Sequence, residues 1–100
     1  MRIPPERLPL HESRVDTSAG TWGIAVESAM ESQTGSTILL KLILEQTIDE
    51  EHFQTRELGL TVYASEVYDS EVLPEMLNTI RRWIETTEGD GFLDLTNRAK

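Results

Sequence analysis

Cysteine is absent from this chain, which excludes a disulfide framework, a thiolate nucleophile and a thiolate-bound metal. Long apolar runs are missing as well. The longest is broken at Lys41, far short of the roughly 20 apolar residues that a membrane-spanning helix needs. The first ten residues, with Pro4, Pro5 and Pro9, lack the continuous apolar core of a signal peptide, so the cytoplasm is the expected compartment. Bases are scarce: nine Lys and Arg stand against eighteen Asp and Glu, for a net charge of −9.

That charge is unevenly placed. Between Glu45 and Glu75 nine acids face one base, Arg56, a net of −8, so the rest of the chain sums to −1. Such a field repels a phosphate backbone or an anionic membrane and attracts a basic protein surface. Direct nucleic-acid and membrane binding are therefore not expected. Glu45, Asp49, Glu50, Glu51 and Glu57 are the candidate residues for meeting a basic partner. A solubilising role for the same acids is the plainer reading.

Helical periodicity is clearest between Asp69 and Gly89. Leu73, Met76, Leu77, Ile80 and Ile84 recur at helical spacing, with Val72 and Trp83 widening the stripe, and charged residues take the other side. Asp69 or Ser70 is placed to cap the first turn, Pro74 is tolerable within that turn, and Gly89 offers a left-handed stop. A start at Pro74 itself is the alternative. The apolar face needs a sheet or another helix beneath it.

In chain order, residues 1–20 read as an extended N-terminal arm, with Ile3, Leu8 and Leu10 able to dock and residues 17–20 forming a hinge or turn. Residues 21–100 read as one α+β domain. Trp22, Ile24, Val26 and Met30 share a period of two, interrupted at Ser28, and predict a first strand. Thr37 to Thr47 alternates as a second strand, although a helix from Ser36 competes with it because leucine suits both. Residues 49–54 read as a loop or one helical turn, Leu58 to Tyr68 as a third strand, and residues 92–95 as a short edge strand after a turn.

The expected fold is α+β: a three-stranded antiparallel meander with one long amphipathic C-terminal helix packed on one face, and a short possible fourth strand. The other sheet face, bearing Ala25, Leu39, Ile43, Tyr63 and Val67, would then lack a cover. Leu39, Ile43, Tyr63 and Val67 are the expected self-association residues, in a homodimer or larger homo-oligomer.

Chemistry is thinly represented. Glycine-rich phosphate loops and the Gly-x-Ser-x-Gly elbow are missing, and His11 and His52 are far apart in sequence. Residues 88–94, Glu-Gly-Asp-Gly-Phe-Leu-Asp, resemble the middle of an EF-hand calcium loop. Thr86 and Asn97 would take the places of its first and twelfth ligands, which removes the strongest carboxylates. The segment therefore reads as a helix stop and turn. No catalytic residue, metal ligand or cofactor is assigned. The expected function is a small acidic, non-catalytic, self-associating interaction or regulatory module with a basic protein partner. The alternatives are a nucleic-acid-mimicking inhibitor of a basic protein, or a small ligand-binding or enzymatic domain with its site between subunits.

Overall fold

The computed structural model describes residues 2–96. Five strands form one sheet in sequential order: β1 (Arg14–Thr17), β2 (Gly20–Glu31), β3 (Thr37–Thr47), β4 (Phe53–Tyr63) and β5 (Gly91–Asp94). One helix, α1 (Leu73–Thr86), links β4 to β5. β1 to β4 are antiparallel neighbours, whereas β5 lies parallel to β4. The helix is the crossover that brings the chain back in the same direction, as parallel pairing requires.

The three-stranded meander with a long helix is therefore corrected to a five-stranded mixed sheet curled around a 14-residue helix. Pro74 sets the start of α1: with no N–H and a ring that clashes with the preceding turn, it sits only in the first turn. Asp69 is spent earlier, its Oδ1 accepting the Glu71 N–H at 2.9 Å in a turn before the helix. At the other end Thr87 is extended and donates its N–H back to the Trp83 carbonyl, so α1 stops before Gly89.

The curl follows from which elements meet. Although α1 leads into β5 at one edge of the sheet, it also touches β1 at the other. The Ser18 N–H donates to Glu85 Oε2 at 3.0 Å, joining the β1–β2 turn to the end of the helix. Inside the curve lie Leu40, Leu42, Leu44, Leu58 and Leu60, all at 0% exposure, with Trp22, Ile24, Val26, Met76, Ile80 and Trp83. Each leucine buried this way contributes roughly 1.5–3 kcal/mol of gross transfer energy.

The N-terminal residues complete this core. Ile3, Leu8 and Leu10 are buried, and the segment runs along β2 where β1 does not reach. Ile3 N–H donates to the Ala29 carbonyl, Glu12 N–H to Ile24, and Ile24 N–H to Ser13. His11 Nδ1 accepts the Val26 N–H at 3.0 Å. An edge that would otherwise present unpaired backbone groups is thus covered.

A β-bulge at Glu27 changes the phase of β2: Val26 pairs with Leu42, but Ser28 already pairs with Lys41. Beyond it Ala29 points inward and Met30 outward, at 50% exposure, reversing the expected orientation of Met30. A bulge moves side chains to the opposite face by one added residue, so the polar Ser28 no longer falls on the core side. β4 also starts earlier than expected, at Phe53, and ends at Tyr63.

Candidate interaction face of the sheet

The convex face of the sheet follows from the same alternation. Where Ile38, Leu40, Leu42 and Leu44 enter the core, Leu39, Lys41, Ile43 and Glu45 point away from it. On β4 the outward positions include Glu57, Gly59, Thr61 and Tyr63. Phe92 and Asp94 join them on β5, opposite Gly59 and Thr61. Met30 lies directly across from Leu39, and Ala25 from Ile43.

This face carries exposed apolar side chains. Leu39 and Met30 are each about half exposed, and Phe92 is 82% exposed. The Phe92 ring lies over Gly59, where an added Cβ would overlap it. A glycine at that register position is what leaves room for the ring over β4. Beside the ring runs an open groove of about 320 Å³, lined by Leu39, Lys41, Glu57, Gly59, Asp90 and Phe92 among others.

Charge crosses the middle of the face, between Leu39 and Ile43. Lys41 Nζ lies 3.2 Å from Glu27 and 3.9 Å from Glu57, and the hydrogen bond with Glu27 is the main reason its ammonium is held above the usual lysine range. The bulge places Glu27 within reach of it. Among the described residues Asp16, Glu27, Glu45, Glu57 and Asp94 lie on this face with Arg14 and Lys41, so acids outnumber bases there. Asp90 Oδ1 accepts the Glu57 N–H at 2.8 Å, fixing the turn into β5 beside the groove.

The residues expected to act in partner binding and self-association separate into three places. Leu39 and Ile43 lie on the convex face with Glu45 and Glu57, and Tyr63 stands at its end, where its hydroxyl donates to the Thr96 carbonyl at 3.1 Å. Asp49, Glu50 and Glu51 form the β3–β4 turn. There Asp49 accepts the N–H groups of Glu51 and His52, both at 2.9 Å, and its two carboxylate oxygens approach His52 Nδ1 at 2.8 and 2.9 Å. The Glu51 bond, followed by His52, holds the Asp49 carboxyl below the usual range. Val67 is elsewhere: only 1% exposed, it belongs to the core, because the chain leaves the sheet at Tyr63 and residues 64–67 turn beneath it.

Sequence reasoning missed Met30 and Phe92. The bulge concealed the first, and the parallel return of β5 concealed the second. The Asp49–His52 pair is exposed, and Asp49 bonds to the Glu51 and His52 N–H groups within its own turn. Among the described residues no group of three His, Asp or Glu side chains is placed to hold a metal, and no helix is long and apolar enough to cross a membrane. Asp90 is engaged with Glu57 and Asp94 Oδ1 with Thr96, so the calcium-loop likeness corresponds to a turn into β5. No protein-family model, curated protein or solved structure matches the chain.

Proposed function

We propose that this protein is a non-catalytic interaction module that binds another protein through the convex face of its sheet. The observation that carries the reading is the cluster of Met30, Leu39 and Phe92, large apolar side chains at least half exposed on a face opposite the core. With Tyr63 they present roughly 400 Å² of apolar surface, in the range of the largest patches on monomeric proteins, which are often functional. Beside these apolar side chains the Glu27–Lys41–Glu57 group adds charged groups able to form specific polar contacts. In projection β2, β3 and β4 with β5 span on the order of 600 Å², near the ~800 Å² per partner of a standard interface.

Photo-crosslinking tests this directly. A photoreactive phenylalanine analogue at position 92, in cells of the source, is expected to give a discrete protein adduct. The same analogue at Glu71, outside the sheet in the turn before α1, is expected not to. Equal adduct patterns from both positions, or none from position 92, would overturn the reading.

A further inference from the structure

The groove beside Phe92 carries a further inference, resting on the interface reading above, about what kind of partner the face takes. Its walls are apolar: Leu39 on β3, Gly59 on β4 and the Phe92 ring on β5. A volume of about 320 Å³, open along one side, accommodates one aliphatic side chain with room to spare. The surroundings are acidic. Glu27 and Glu57 flank Lys41, Asp90 lines the groove beside Phe92, and Asp94 lies two residues on along β5, so among the described residues acids outnumber bases there.

Those charges discriminate between occupants. A second copy of this chain would bring a face of the same negative sign against it, and like charges oppose association. A basic partner reverses the sign of that interaction, and Lys41 is already neutralised locally by Glu27 and Glu57. We propose that the groove beside Phe92 receives an aliphatic side chain from a basic protein segment whose flanking arginines meet the surrounding carboxylates.

The recognition step is non-covalent. The aliphatic side chain displaces water from Leu39, Gly59 and Phe92, which supplies affinity, while the carboxylates select the sign of the flanking residues and steer approach. Guanidinium groups suit this role because they pair with carboxylates in two-point geometry.

The test uses the full chain, isotope-labelled for amide NMR, and three capped pentapeptides. One has leucine at its centre with two arginines on each side, the second has glycine at the centre, and the third has glutamates in place of the arginines. The leucine–arginine peptide is expected to shift the amides of Leu39, Lys41, Gly59 and Phe92. Its affinity should fall on the order of tenfold or more with glycine at the centre, and a similar amount in the Phe92→Ala protein. Raising the salt should weaken it, and the glutamate peptide should not bind.

Equal binding of the glutamate and arginine peptides would overturn the charge argument while leaving the interface reading intact. Shifts confined to residues 49–51, or no binding by any peptide, would overturn the groove as the site. A dimer seen by sedimentation and abolished by Phe92→Ala would assign the face to a second copy, which refutes the basic partner but keeps the interface. Leu39→Ser serves as a second variant if Phe92→Ala fails to fold.

Discussion

Removing the side chain of Arg56 should destabilise the fold more than its place on a strand suggests. Its guanidinium donates from Nε to the Gly89 carbonyl at 2.7 Å, from Nη1 to the Ile84 carbonyl at 3.2 Å and from Nη2 to Thr87 Oγ1 at 3.0 Å. It also stacks 4.2 Å from the centroid of the Trp83 ring. One β4 side chain thus satisfies the C-terminal end of α1 and fastens the helix to the sheet. Partly exposed hydrogen bonds contribute about 0.5–1 kcal/mol each, the stacking ~0.5–1 and the cation at the helix end ~0.3–1. Because these overlap, Arg56→Ala is expected to cost about 2–3 kcal/mol, a large share of the ~5–15 kcal/mol by which such domains are stable.

Urea denaturation provides the assay. With a slope of roughly 1–1.5 kcal/mol per molar for a chain of this size, the midpoint should fall by about 2 M. Arg56→Lys keeps the charge but loses the planar fork, and should fall between the two, at about 1–2 kcal/mol. A midpoint for Arg56→Ala within error of the parent, or a lysine variant as stable as the parent, would refute the argument.

Further expectations concern the N-terminal segment, the convex face and pH. His11→Ala leaves the Val26 N–H without its acceptor and should cost about 1–3 kcal/mol, with faster amide exchange at Val26; His11→Asn, which returns an acceptor oxygen, should recover part of this. In Gly59→Ala the new methyl forces the exposed Phe92 ring off its seat, so stability should change by less than about 1 kcal/mol while the leucine–arginine peptide loses affinity. The Glu85 carboxyl is held below its ordinary range, first by the Ser18 N–H and then by Arg81. A lowered folded-state value means that its contribution is present above the ordinary carboxylate range and lost as pH falls through the lowered value. Thermal melts from neutral pH to about pH 3 should therefore show a smaller loss for Glu85→Gln than for the parent. Lys41 has the opposite sign: its contribution is present below the usual lysine range and lost as pH rises through the elevated value.

The parts of the fold legible in the sequence are those decided within one element. The stripe from Leu73 to Ile84 specifies a helix with a buried side, and the alternation of Ile38, Leu40, Leu42 and Leu44 favours a strand over the competing helix. Leu39 and Ile43 could be placed on the outward face because their phase is set by their immediate neighbours. Met30 could not: the residue inserted at Glu27 shifts the phase of everything after it, and the sequence there contains no glycine to mark a bulge. Arg56 was equally hidden, because its partners lie some thirty residues away and depend on where α1 ends.

The sequence by itself determined the acidic balance, the absence of thiol chemistry and the amphipathic helix, all properties of composition or of a period of 3.6 residues. Only the tertiary structure decided that β1 and the N-terminal residues cover one side of β2, that β5 returns parallel to β4, and that Phe92 rests on Gly59 beside Leu39. The physical reason is that register and curl are set by contacts between distant segments competing for one core. No local pattern carries the outcome of that competition, and the candidate groove exists only as its product.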